Sequence, residues 1–444
     1  MNHIFRTGLV VLALAPAAMA QGTEQPIGTP VRKSAALQCR TDASTYQNKE
    51  VADLRLMGKA LTVEALQPII EQSRKIARDC ADRIRPDTIA TAELGPLASV
   101  YIFSGDTAKA QSVVAMTLSR PGMTEAERAD AYASAEGLSI STFDAFRGYN
   151  ADAERFVRAI DSMSDAVLPV KIRAHQALLG RYEYADYDDG LRDQATKLLK
   201  LAQHALETHA LGQTAARPGV PAVDVAYPIM VQAYSSLARA AGDFLHPDSA
   251  LMILDEAERI VGPVYPPARA EFEAPRAMYR LVGTKATPIT AKWWINGKDG
   301  AKATPASGKV TLIQFTAHWC VPCRHSYPGT LNIAKHFTGK PFEAVMETYL
   351  YGFIGGKQKL APEQEVAEDR DYYIKQHGLP FRIAVNPQPA DSTVKDNSSR
   401  YAVGGIPEIV VVDKKGTVRA TIVGWDNGNE ARLTKFIEQL LAEK

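Results

Sequence analysis

Cys320 and Cys323 stand two residues apart in the run Phe315-Thr-Ala-His-Trp-Cys320-Val-Pro-Cys323. An apolar run that reads as a strand ends just before them, and a helical pattern opens immediately after Cys320. That placement aims the Cys320 thiol at the positive end of a helix dipole, which favours thiolate over thiol. The thiolate is the attacking species in disulfide exchange, so the position creates a nucleophile without a dedicated base. Cys323 lies one helical turn on, within reach of a mixed disulfide formed at Cys320. Pro322 fits a first helical turn, where its missing N–H has no partner to lose. Trp319 caps the turn. The chemistry these residues can perform is dithiol–disulfide exchange, which needs no cofactor.

Such a pair has two other possible uses. A structural zinc site needs four ligands, and the remaining cysteines, Cys39 and Cys80, lie far away near the N-terminus. His318, His325 and His336 supply imidazoles, but none has zinc-finger spacing, so no metal is expected. A passive structural bridge is the other use, and the strand–Trp-Cys-x-x-Cys–helix context argues against it.

These residues sit in the last third of a 444-residue chain, too long for one ordinary core. The balance of 51 basic and 50 acidic residues removes the electrostatic case for a nucleic-acid partner. Residues 1–20 read as an export signal, with Arg6 before an apolar run from Leu9 to Ala15, a break at Pro16, and the small-x-small triplet Ala18-Met19-Ala20. The run falls short of the roughly 20 residues needed to span a bilayer, so the expectation is cleavage, no stable membrane insertion and a periplasmic or otherwise extracytoplasmic protein. In that compartment disulfides persist. Residues 21–35, with Pro26 and Pro30, read as a flexible leader.

From 36 to 282 the pattern is helical, giving an all-α domain. Leu66, Ile69, Ile70, Ile76, Ala77 and Cys80 recur on one helix face, as do Leu191, Ala195, Leu198, Ala202 and Ala205. The order Leu94, Leu97, Ala98, Tyr101, Gly105, Ala110, Val114, Thr117 resembles a tetratricopeptide repeat, with a looser copy from Tyr234 through Gly242 to Ala250, Leu254 and Ala257. A generic helical array is the alternative. Cys80, on an apolar face, reads as structural. A Cys39–Cys80 bridge would stabilise the domain by roughly 3–4 kcal/mol on the chain-entropy model, although spacing alone does not establish that the two meet.

Past a linker-like stretch, Gly283 to Pro288, the texture changes to strands alternating with helices. Strands are expected at Ile289–Asn296 (ending in the turn pair Asn296-Gly297), Val310–Thr316, Phe342–Leu350 and Phe381–Val385, with helices at Pro322–Phe337 and Glu363–His377. A hairpin, Ile409–Asp413 with Val418–Val423, and a last helix carrying Leu433, Phe436, Ile437, Leu440 and Leu441 complete a small α/β sandwich over 287–444.

This segment resembles the thioredoxin superfamily, and most closely its extracytoplasmic TlpA/ResA-type branch. The resemblance rests on Trp319-Cys320-Val321-Pro322-Cys323, Pro328, Tyr401-Ala-Val-Gly-Gly-Ile406-Pro407, Ile409-Val-Val-Val-Asp413 and Lys415-Gly416. It implies a thioredoxin-like fold, a cis peptide before Pro407 beside the cysteines, and substrate docking on the backbone of Ile406 and against Trp319. It also implies Cys320 as nucleophile, Cys323 as resolving thiol, a disulfide-containing protein substrate and an upstream thiol electron donor. Two positions depart from the pattern. Gln314 replaces the family's buried Asp or Asn six residues before the first cysteine, and Ser326 stands where a Glu is common three residues after the second. Neither can relay a proton as a carboxylate can. His318 and His325 read as near-surface polar residues, and Glu408 is an unusual neighbour for Pro407. The competing readings are an oxidant that donates its disulfide and a non-enzymatic adaptor built on the helical array. A peroxidase is disfavoured by the absence of a Pro-x-x-x-Thr-x-x-Cys pattern.

Overall fold

The computed structural model describes residues 34–57, 63–142, 148–214, 222–242, 246–297, 305, 308–389, 396–426 and 428–443. The expected export segment, and all but the last two residues of the expected leader, lie outside the described residues. The described residues divide into two compact units, one running from Ser34 to Glu183 with Asp193–Met230, the other of Tyr184–Arg192 with the residues from Val231 onward.

The first unit is helical. Its helices are α1 (Ala35–Leu56), α2 (Val63–Ala81), α3 (Thr91–Ser104), α4 (Thr107–Ser119), α5 (Glu125–Thr142), α6 (Ala151–Asp161), most of α7 (Leu168–Tyr184) and most of α8 (Asp188–Thr208). α1 packs on α2 and α3, α3 on α4 and α5, and α5 on α6. The periodic residues are the core: Leu66, Ile69 and Ala77 are buried, and Ile76 and Cys80 pack against the same cluster. Leu94, Leu97, Ala98, Tyr101, Ala110, Val114 and Thr117 are all buried between α3 and their neighbours. Gly105 ends α3 in the left-handed region at φ 77°, where L side chains are strained, and Asp106 caps α4 through the Lys109 N–H. A paired-helix unit follows from this local chemistry.

The second unit adds α9 (Ala226–Ala241), which begins in the first, then α10 (Pro247–Val261) and α11 (Pro267–Arg280) to a sheet domain. Gly242 lets α9 and α10 close up, because a Cβ there would meet the Ala250 Cβ and the Tyr279 ring at 2.6 Å. The turn before α8 is held in the same unit by Asp186, which pairs with Arg239 and accepts the Trp425 N–H at 2.5 Å.

The sheet comprises β1 (Trp293–Ile295), β2 (Val310–Phe315), β3 (Phe342–Leu350), β6 (Arg382–Pro387), β7 (Glu408–Val412) and β8 (Val418–Val423), in the order β1-β6-β3-β2-β7-β8. β2, β3 and β6 run parallel, and β7, β8 and β1 are antiparallel to their neighbours. Between them lie α12 (Val321–His336), the short β4 (Phe353–Ile354) and β5 (Lys357–Gln358), α13 (Pro362–Arg370) continued by a π-helical turn (Asp371–Gln376), the one-turn α14 (Asn397–Arg400), and finally α15 (Asn429–Ala442). Every β2 residue is buried, as a central strand covered on both faces must be. On one face Leu312, Ile409 and Val411 meet Ile333 and Phe337 of α12 and Leu433, Phe436 and Ile437 of α15. On the other, Ile313, Phe315, Val345 and Val410 meet Ile289 and Tyr401. Strand order, the β2–α12–β3 crossover and the terminal hairpin make this a thioredoxin-like fold.

Two expected elements are altered. The strand expected over Ile289–Asn296 is reduced to Trp293–Ile295, because Asn side chains satisfy the preceding backbone: Asn386 and Asn397 both donate to the Thr290 carbonyl, and Asn386 accepts from Lys292 N–H. The helix expected over Glu363–His377 is α-helical only to Arg370, and then widens to π geometry where Tyr372 and Tyr373 enter the core. Among the described residues no helix is long and apolar enough to cross a membrane.

Candidate functional site

β2 delivers the chain to the site and α12 carries it away. Thr316, just past the strand, holds the Tyr327 hydroxyl at 2.8 Å and so ties the loop to the helix it precedes. Cys320 is the N-cap of α12, with extended backbone, and its sulfur accepts the Cys323 N–H at 3.1 Å. Pro322 occupies the first turn, where no carbonyl waits for its missing N–H. Cys320 and Cys323 are joined as a disulfide, Cα atoms 5.2 Å apart. Cys320 is 3% exposed and Cys323 is fully covered.

The Ile406–Pro407 bond is cis, as the resemblance implied. It brings the Ile406 carbonyl oxygen to 3.6 Å from the Cys320 sulfur. Trp319 is half-buried, edge-on to Tyr351 at 5.4 Å between ring centres. Cys320, Cys323, Trp319, Pro322, Ile406 and Pro407, named from sequence, are therefore gathered at one end of the sheet.

Gln314 and Ser326 are brought together beneath the pair. Gln314 Nε2 donates to Ser326 Oγ at 2.8 Å, Ser326 Oγ donates to the Cys323 carbonyl at 2.7 Å, and Thr330 donates to Gln314 Oε1 at 2.8 Å. The floor of the site is a saturated, neutral network. The opposite face of the sheet is acidic instead. Burial pushes the Glu347 carboxyl up to about 8, opposed by hydrogen bonds from Asn397 and Asn386. Burial likewise lifts Glu408 well above the ordinary carboxylate range, against N–H donation from Gly404 and Gly405.

One expectation about histidine is corrected. His318 is not near-surface: it is 4% exposed, ringed edge-on by Tyr351, Phe353 and Tyr372, because the loop leaving β2 turns it under α13 rather than outward. Its Nδ1 lies 3.3 Å from Asp369 Oδ1. His336 is exposed and pairs with Glu438 far down α12. Asp369 and Glu365 escaped sequence reasoning; their only local signal was an i, i+4 spacing that places two carboxylates on one face of a short helix. Burial raises both above the usual range.

The thioredoxin-like fold occupies about a third of the chain, and comparisons with known proteins agree with that class. No family model matches. The chain is 27% identical over 177 residues to the thiol:disulfide interchange protein HelX of Rhodobacter capsulatus, a match spanning 40% of this chain and 80% of that one. It is 25% identical over 129 residues to the thiol-disulfide oxidoreductase ResA of Bacillus subtilis, covering 29% of this chain and 60% of ResA. Among solved structures it is similar to a putative thiol:disulfide interchange protein DsbE from Chlorobium tepidum, at 23% identity and TM-score 0.28, over 36% of this chain and 98% of that one. The relatives' names are consistent with a thioredoxin-like oxidoreductase.

Proposed function

We propose that the chain is an extracytoplasmic thiol–disulfide oxidoreductase that works in the reducing direction. The observation that carries this reading is the Cys320–Cys323 disulfide at a helix N-terminus with the Ile406 carbonyl 3.6 Å away. In the reduced protein the Cys320 thiolate attacks a substrate disulfide, forming a mixed disulfide and expelling one substrate thiolate. Cys323, as thiolate, then attacks the Cys320 sulfur, closing the protein disulfide and releasing the second substrate thiol. Two electrons pass to the substrate, and an upstream dithiol donor restores the pair. The backbone at Ile406 docks an extended substrate segment beside the sulfur, with Trp319 as the flanking apolar surface. The signal-like residues 1–20 and the pairing of all four cysteines in bridges support an oxidising compartment. The tetratricopeptide-like hairpin α3–α4 fits a role in recruiting the partner or substrate protein.

The deciding experiment is the reduction potential of the Cys320–Cys323 pair, obtained by equilibration in dithiothreitol buffers and alkylation mass spectrometry. A value near or below about −250 mV supports a reductase; one near about −120 mV makes it a disulfide-donating oxidant. A pair that never cycles leaves the fold as an adaptor.

A further inference from the structure

A buried histidine in this chain can satisfy both ring nitrogens. His175 in the helical unit, for example, uses both ring nitrogens, on Gln194 at 2.6 Å and Asp161 at 2.9 Å. His318 and Asp369 differ. Both nitrogens of His318 and both carboxylate oxygens of Asp369 are buried without a hydrogen bond, even though the two side chains face each other at 3.3 Å. A buried polar atom left without a partner keeps its full desolvation penalty, so four in one contact call for an explanation. Glu365 completes the group: its oxygens accept the Tyr351 and Gly352 N–H groups at 2.6 and 2.7 Å, which fixes the carboxylate in place while leaving each oxygen a further lone pair. One ligand atom from each of the three residues lies within 4.8 Å of the others.

We propose that His318, Glu365 and Asp369 form a binding site for a divalent transition-metal ion of the zinc type, set behind the Trp319–Cys320 loop. The donor set is one imidazole and two carboxylates, whose combined charge of −2 with a neutral imidazole is cancelled by a dication. Imidazole among so few ligands disfavours calcium and magnesium, which take six or more oxygens. Two tetrahedral zinc ligands at about 2.0–2.1 Å from the metal stand about 3.4 Å apart, close to the His318–Asp369 separation already present. The rings of Tyr351, Phe353 and Tyr372 supply the dry wall that strengthens such a site, and the Tyr372 hydroxyl holds the His318 carbonyl at 2.8 Å. Three protein ligands leave a fourth position for water. Because His318 is two residues before Cys320, occupancy ties the redox loop to α13. The proposal stands whether or not the dithiol is catalytic.

The test uses the untagged, fully oxidised chain, in which all four cysteines are in disulfides and no thiol competes for metal. Zn²⁺ is titrated against a chromophoric chelator, and Co²⁺ is added separately to read coordination from its visible spectrum. The expected result is one equivalent of tightly held zinc and an intense low-symmetry Co²⁺ band. His318→Gln and Asp369→Asn should each weaken zinc at least tenfold while keeping the parent melting temperature in EDTA. No bound equivalent, or equal affinity in parent and folded variants, overturns the site. If a variant does not fold, the parent decides: an octahedral Co²⁺ spectrum, or no zinc-dependent rise in melting temperature, overturns it equally.

Discussion

The two disulfides are the same bond in opposite settings. Cys320 caps the N-terminus of α12, where the helix dipole favours a thiolate, and the pair closes a loop of sequence separation 3. Cys39 lies within α1 and Cys80 is the penultimate residue of α2, at the negative end of that helix; the bridge spans a separation of 41 and packs into an aliphatic cluster. The C-terminal dipole disfavours a thiolate at Cys80, the reverse of the setting at Cys320. On the proposed chemistry, what separates the exchanging pair from the structural one is the end of the helix a sulfur occupies.

The sharpest way to break this contrast is by activity. Cys320→Ser should lower disulfide-reductase turnover by about 10³-fold or more, since no second nucleophile takes its place, while Cys39→Ala/Cys80→Ala should stay within about twofold; an insulin-reduction assay compares them. Stability should rank the other way. On the chain-entropy model the Cys39–Cys80 bridge contributes about 4 kcal/mol and the short Cys320–Cys323 loop about 2 kcal/mol, and urea unfolding of the two double-alanine variants checks the order.

The two faces of the sheet offer a second contrast. Glu347 has its folded-state value raised to about 8 over an ordinary carboxyl near 4.5, so the native state binds the extra proton. Its contribution is fully present below about pH 4.5 and is lost as pH rises through about 8. Glu347→Gln should flatten the fall in stability across that window, by roughly a few kcal/mol between its ends. A slope unchanged in the variant would assign it to other buried acids. On the neutral face the effect should be smallest: Thr330→Val removes the hydroxyl that donates to Gln314, at a cost of about 1 kcal/mol, with no new pH dependence in thermal melts.

Much of this was visible along the chain. The helix faces at Leu66–Cys80 and Leu191–Ala205, the strand Phe342–Leu350 and the hairpin around Lys415-Gly416 were legible because hydrophobic period and turn chemistry act between near neighbours. Cys320, Cys323 and Pro407 were legible because helix capping and the X-Pro bond are local too. The sequence's change of texture near 282 and the compact unit beginning at Val231 do not coincide, since composition records secondary structure while compactness records packing.

The sequence by itself determined the exchange chemistry, the periodicity of the helices and the strand–helix frame that holds the two thiols. Only the tertiary structure decided that Cys39 meets Cys80, that Asn386 and Asn397 cut β1 short, and that His318 turns inward onto Asp369 and Glu365. Each of those outcomes depends on desolvation and on partners far apart in the chain, which no local pattern encodes. The upward shift of the Glu347 and Glu408 carboxyls has the same origin, in the layers that shut water out around them.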